Sequence, residues 1–454
     1  MNNNPAELTT GSTISPLDGR YFFKIKNLSD YFSEKALNKY RLRVEVEYLV
    51  KLSSFKICNG LTASQVKALK KIYLNFNDDD LKTIKKIEEK INHDVKAIEY
   101  FLRRKLEKIN LKELIPFIHF GLTSEDTNNL AYGLILKEFK EKILEKEIYL
   151  LIDYLKLTAK KYKKIPMLGR THGQPAVGST IGKELANYVY RLKKQSERLK
   201  KFKFEGKCGG AVGNHNALKT VLPEKDWLKF SKELVESFGL TTNFYATQIL
   251  FYDNQIEFFQ IIKTINGILI DMAKNIWIYI MLNFFFQKKK GEEVGSSTMP
   301  QKVNPINFEQ AEGSLGLANS MINYFEQKLI ESRLQRDLSD SIVRRVFGEA
   351  MAYTILGWQN IFFGFKKIDV NKNQLKSELN NHWEILTEAI QTSLRLKKDN
   401  QAYEKMKSLT RGKTINKKEY FKLLKALGLE NDKKLKDLTP EKYIGYAVKL
   451  VDKL

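Results

Sequence analysis

Cysteine is almost missing from this chain: Cys58 and Cys208 are the two among 454 residues. They form neither a disulfide framework nor a metal-ligand cluster, which points to a reducing compartment. Proline is scarce, 9 of 454 or about 2%, against an average of roughly 5%. So few helix breakers predict long, uninterrupted helices. Long apolar runs are absent as well. The most apolar segment, residues 276–286, falls short of the ~18 residues of a membrane span. The opening MNNNPAELTTGST has neither the basic start nor the apolar stretch of a signal peptide. A soluble cytoplasmic protein with no membrane partner is expected. Strand-like alternation is nearly absent, which disfavours a doubly wound nucleotide fold.

What is abundant is lysine. Lys+Arg 77 against Asp+Glu 53 gives a net charge of +24. Such an excess suits nucleic acid, an anionic surface or a polyanionic small substrate. The lysines recur in short runs with no single basic block, so a solvated surface is the simpler reading and an anionic substrate the next. Hydrophobic residues at 43% and charged residues at 29% fit a globular chain. Three regions separate by pattern: a helical region over 1–113, a long-helix region over 114–365, and shorter, lysine-rich helices over 366–454. Leu42, Val46, Leu49 and Leu52 lie at helical spacing, and Ile84, Ile87, Ile91, Val95, Ile98 and Leu102 extend one stripe over 82–108. The middle region predicts helices over about 123–163, capped by Thr123 with Asp126, over 179–204, over 255–287 and from beyond Pro305. Helices this long indicate an extended all-α bundle.

Two glycine-rich stretches are near misses. Residues 209–213 lack the first glycine of a dinucleotide fingerprint, and residues 178–183 are one residue short of a phosphate loop. None of the five histidines, His93, His119, His172, His215 and His382, pairs at a zinc-binding spacing. His172, in the polar stretch Arg170-Thr171-His172-Gly173-Gln174-Pro175 between two long helices, is placed for acid–base work near neutral pH. His93 reads equally well as a helix-surface residue, and His119, flanked by Phe117, Ile118 and Phe120, as a core histidine. The strongest local feature is GSSTMPQKVN at residues 295–304. Serine hydroxyls, a lysine and a following helix N-terminus together suit a carboxylate.

That run resembles the signature loop of the fumarase/aspartase superfamily of lyases, G-S-S-x-M-P-x-K-x-N. Arg170 to Pro175 resembles the superfamily's histidine region, and Thr123-Ser124-Glu125-Asp126 its first region. Within the superfamily, residues 15–21, Asn92-His93-Asp94, Gln248 and the stretch from Gln335 to Arg345 are similar to the bacterial adenylosuccinate lyase family. The similarity covers the chain from about residue 12 to its end. Gln301 departs from the histidine that bacterial members often carry there.

The resemblance implies a fumarase-like all-α fold and β-elimination of fumarate from adenylosuccinate and from the succinyl-carboxamide ribotide of purine synthesis, with no metal or redox cofactor. It implies Ser296 as general base and His172 as general acid, with His93 the second choice for the acid. Lys302, Asn304, Thr123, Ser124 and Gln248 would bind the succinyl part, and Arg20, Tyr21, Ser341 and Arg345 would clamp the phosphate. Asn92, His93, Asp94 and Arg336 would line the same site. The alternative is a sister enzyme such as argininosuccinate lyase, which would share the loop but need no phosphate clamp. A catalytically silent relative would be expected to lose Ser296 or His172, and a nucleic-acid binder rests on charge alone. A homo-oligomer with shared sites is expected too. Some 40 helical residues between Ser124 and His172 would span about 60 Å, so one substrate touching both motifs needs two subunits. The tetramer number comes from the resemblance.

Overall fold

The computed structural model describes residues 13–288, 298–299 and 301–454. The chain forms two compact units, one of Met1–Glu147, Glu197–Asn266 and Ser314–Leu356, the other of Ile148–Ser196, Gly267–Gly313 and Gly357–Leu454. Helices dominate both, as the scarcity of proline requires. No helix among the described residues is long and apolar enough to cross a membrane.

In the first unit, the helix Glu34–Ser54 starts where the Ser33 hydroxyl accepts the Ala36 N–H at 3.1 Å. It is buried on nearly every side, with Leu42, Val46, Leu49 and Leu52 solvent-free. The apolar stripe expected to run unbroken over 82–108 is instead two helices, Asp78–Ile91 and Asp94–Lys108. Asn92 turns left-handed (φ 51°) to end the first, and the His93 Nδ1 accepts the Lys96 N–H at 3.1 Å to cap the second. Asparagine tolerates that conformation better than other residues with a Cβ, which ends one helix without disturbing the period of the stripe. His93 is therefore a cap, not a residue within a helix.

The helix Ser124–Phe139 begins as expected, with the Thr123 N–H donated to the Asp126 carboxylate at 2.9 Å. A widened turn at Lys140–Leu144 and the helix Glu145–Lys161 follow without a break. Asp253–Met281, Ile306–Lys328 and Phe347–Lys366 are the other long helices, with Ile181–Lys201. In the first unit three of them meet at Phe259, Phe325 and Phe347, whose ring centroids lie 4.8–5.3 Å apart. In the second unit they meet through Tyr154 with Phe362 at 5.1 Å and Phe308 with Phe365 at 5.6 Å.

Strand is rare but not absent. The helix predicted to reach residue 287 ends at Met281, and Phe285–Gln287 pairs antiparallel with Ile368–Val370. The polar connection that carries His172 is a β-hairpin, Pro166–Thr171 against Gln174–Thr180. Its Leu168 packs with Leu379, Trp383, Ile390 and Tyr420 in the core of the short C-terminal helices. Neither glycine-rich stretch is a nucleotide loop. Gly182 lies in the first turn of Ile181–Lys201, where a Cβ would come within 2.4 Å of the Ala159 carbonyl. Gly213, at φ 85°, would clash with the Ala246 carbonyl at 2.2 Å.

Candidate active site

The start of the Ser124–Phe139 helix delivers two buried carboxylates immediately after Thr123 and Ser124. Asp126, fully buried, accepts the backbone N–H groups of Thr123, Gly209 and Gly210 at 2.9, 2.9 and 3.0 Å and faces Lys207 Nζ at 2.8 Å. It ties the glycine stretch to the helix start. Glu125 takes the Arg344 guanidinium in a fork at 3.0 and 3.1 Å, Arg336 at 3.1 Å and the Asn128 amide at 2.7 Å. Burial pushes the Glu125 carboxyl up, but the charges of Arg344 and Arg336 and the hydrogen bonds from Arg344 and Asn128 overcome it and hold it below the usual range. Asp340, four residues from each arginine, pairs with Arg336 at 3.1 Å and Arg344 at 3.3 Å and accepts the Tyr252 hydroxyl. The Arg344 guanidinium also lies over the Tyr132 ring, 5.1 Å from its centroid.

The network continues through Asn128. Its carbonyl accepts Arg41 Nε at 2.9 Å, and Arg41 Nη2 reaches Asp94 at 2.8 Å. Arg345 meets Asp94 at 3.3 Å and Glu34 at 3.0 Å. Burial raises the Asp94 carboxyl, yet Arg41, the Val95 N–H and Arg345 bring it below its ordinary value. Arg345 also lines a pocket of about 210 Å³ with Ser15, Asp18, Phe22, Ser29 and Glu349. Beside it in sequence, Arg20 is exposed and lies 6.0 Å from the Tyr21 ring centroid.

Of the expected site residues, the first unit therefore joins Asp94, Arg345 and Arg336 to the helix start at Thr123 and Ser124 through one hydrogen-bonded chain. Asn92 and His93 form the turn before Asp94. Ser341, half-buried, sits in the short helix Asp340–Arg345, and Gln248 is half-buried in the same unit. Arg20 and Tyr21 belong to that unit but not to the chain of contacts. The second unit holds His172, Lys302 and Asn304. His172 (φ 54°) and Gly173 (φ 75°) are the two turn residues of the hairpin. Both central residues at positive φ make the tight turn that suits twisted strands, and the ring at the tip is exposed. Arg170 steadies the turn by donating to the Gly173 carbonyl at 3.2 Å and pairing with Glu378. Lys302 is exposed, its N–H donated to the Met299 carbonyl at 3.0 Å, and Asn304 precedes Ile306–Lys328 by two residues. Ser296 lies outside the described residues.

Glu125 and Arg344 fall within the matched motifs but, with Asp340, Arg41 and Asn128, were assigned no site role from the sequence, although the i,i+4 spacing of Arg336, Asp340 and Arg344 is a readable signal. His119 is held structurally. Its Nδ1 meets Glu45 Oε1 at 2.7 Å, and the Thr127 hydroxyl donates to the same oxygen at 2.7 Å. His215 is buried beside Ser231 at 3.2 Å, and burial lowers its pKa. Among the described residues no group of three or more His, Cys, Asp or Glu could hold a metal ion.

Two family matches cover most of the chain. Residues 19–318 match a family described as Lyase, and residues 332–444 match the adenylosuccinate lyase C-terminal family. Proteins named adenylosuccinate lyase from Legionella pneumophila (strain Corby) and Haemophilus influenzae are each 45% identical, over 98% and 99% of this chain and 99% and 100% of their own. The one from Escherichia coli K12 is 44% identical over 99% of this chain and 100% of its own. In fold, the chain is similar to the crystal structure of a fumarate lyase from Mesorhizobium sp. BNC1. The TM-score is 0.76 at 18% identity, covering 94% of this chain and 97% of that one.

Proposed function

The chain belongs to the adenylosuccinate lyase family of the fumarase/aspartase superfamily, and on that premise we propose how its own residues carry the reaction. It is a carbon–nitrogen lyase that eliminates fumarate from adenylosuccinate, leaving AMP, and in the same way from the succinyl-carboxamide ribotide of purine synthesis. The observation that carries this reading over argininosuccinate lyase is the match of residues 332–444 to a C-terminal family particular to adenylosuccinate lyases.

Elimination needs a base for the carbon proton, an acid for the departing nitrogen and donors for the carboxylates. His172 protonates the nitrogen; an exposed ring on a two-residue turn is free to meet a substrate. Ser296 takes the carbon proton, and its alkoxide needs the stabilisation that a closed loop and Lys302 would supply. Lys302, Asn304, Thr123, Ser124 and Gln248 hold the succinyl carboxylates. Arg20, Tyr21, Ser341 and Arg345 hold the phosphate, which would compete with Glu34 and Asp94 for the Arg345 fork. Asn92, His93, Asp94 and Arg336 line the site. The reaction calls for no metal or redox cofactor. The enzyme works in the cytoplasm as a homo-oligomer, a tetramer, each site drawing residues from more than one subunit. The unbroken helical run from Ser124 to Lys161 supports that last point. Incubation with adenylosuccinate and, separately, with argininosuccinate tests the assignment. Fumarate and AMP from the first alone are expected; fumarate from the second alone would replace it with the sister activity.

A further inference from the structure

The helices Asp78–Ile91 and Asp94–Lys108 enclose a groove of about 500 Å³ lined by Thr83, Lys86, Ile87, Lys90, Ile91, Tyr100, Arg103 and Arg104. Four of these are cations and none is a carboxylate. Among the acids of the same two helices, Asp78 pairs with Lys35, Asp80 with Lys105, Glu88 with Lys85 and Glu99 with Lys96, while the exposed Glu89 and Glu107 are not part of the groove lining. Lys86, Lys90, Arg103 and Arg104 are all exposed and none takes part in an ion pair within 4.0 Å among the described residues. Arg41, Arg336, Arg344 and Arg345 of the same unit all do.

Lys86 and Lys90 are four residues apart on one helix face, a like-charge spacing that costs stability unless something offsets it. Arg103 and Arg104 add two planar forks from the facing helix, the geometry that grips phosphate oxygens in pairs. Ile87, Ile91 and Tyr100 give one stretch of the groove an apolar lining. The volume lies within the range of small-molecule sites. We propose that this groove binds a small ligand with contiguous phosphates, a nucleoside triphosphate, whose phosphates meet the four cations and whose base lies against Tyr100 and Ile91. Inorganic polyphosphate shares the phosphate chemistry without the apolar end.

The test is calorimetric titration of the intact protein with ATP and with inorganic tripolyphosphate. Four proteins are compared: wild type, the triple variant Lys90→Gln/Arg103→Gln/Arg104→Gln, the charge-keeping Arg103→Lys/Arg104→Lys, and Arg20→Ala. The triple variant is expected to lose at least ~10-fold in affinity for both probes, and the lysine variant, which keeps the charge without the forks, to lose less than the triple variant. Both should keep lyase activity without added ligand, so binding here is scored apart from turnover. ATP binding more tightly than tripolyphosphate supports a nucleotide occupant, and equal affinity overturns the nucleotide in favour of phosphate recognition alone. Unchanged affinity in the triple variant overturns the proposal. So does loss as complete in Arg20→Ala, which would move the binding to the catalytic site. Retention of heparin or duplex DNA with no tripolyphosphate binding overturns it in favour of a macromolecular partner.

Discussion

The charge cluster around Glu125 and the hairpin that carries His172 are built from opposite materials. In the cluster, Glu125 and Arg344 are 3% and 4% exposed, and Glu125 is held by Arg344, Arg336 and Asn128 together. Such groups are costly to desolvate and tolerate no missing partner. At the hairpin, an exposed histidine sits on a two-residue turn anchored below by Leu168 in a core and Arg170 against Glu378. The first arrangement fixes positions, and the second presents an exposed imidazole to solvent on a short, anchored arm. Acid–base chemistry needs both: carriers of charge that do not reorganise and a proton donor that can reach substrate.

The largest expected effect breaks the first half of that contrast. Glu125→Ala leaves Arg344 and Arg336 sharing Asp340 and should cost about 3–5 kcal/mol, measured by urea unfolding; a loss below about 1 kcal/mol would mean the cluster is not the rigid element. The second half is broken by His172→Ala, which should lower kcat by ~10²–10⁴-fold while leaving stability within ~0.5 kcal/mol. Near-normal turnover would take His172 out of the acid role and leave His93 to be tried. Smaller still is Gly173→Ala. A Cβ there meets nothing within 4 Å, so the strain is that of φ 75° alone, about 1–2 kcal/mol in thermal unfolding.

The smallest effect separates an imidazole, His119, from a buried carboxylate, Glu125, by their pH dependence. Burial works against the charged form of His119, but Glu45 outweighs it and raises the pKa. A raised folded value stabilises below the unfolded value of about 6.5, and that contribution disappears as pH rises through the folded value. Glu125, held low, does the reverse: it stabilises above the unfolded value of about 4.3 and is lost as pH falls through its depressed folded value. His119→Gln should flatten the alkaline limb of stability against pH and leave the acid limb in place. An unchanged alkaline limb would deny the Glu45 contact any electrostatic weight.

Much of the fold was legible because apolar spacing and caps are local signals. The stripe through Leu42 and Leu52, the Thr123–Asp126 start and the helix after Pro305 all appear where the pattern put them. The break at Asn92 was not, because the apolar period runs straight across it. The hairpin was hidden for a different reason. Its strands, PMLGRT and QPAVGST, lack alternation and carry proline and glycine, and the turn pair His172-Gly173 is not the common Asn-Gly. Phe285–Gln287 reads as a continuation of the preceding helix and becomes strand only by pairing with Ile368–Val370. For the site, Asp94, Arg336 and Arg345 were named as candidates and are joined in one network. Glu125 and Arg41 were given no role because the charged partners that define them lie far off in sequence, Arg344 219 residues from Glu125 and Asp94 53 from Arg41, which no local pattern displays.

In the proposed mechanism, His172 on the hairpin and Ser124 at the helix start serve one substrate from separate subunits. Mixing His172→Ala with Ser124→Ala, each expected to be inactive alone, and allowing subunits to exchange tests it directly. Shared sites require that adenylosuccinate cleavage return in the mixture. No recovery in verified mixed oligomers, or an active monomer by light scattering, would contradict it.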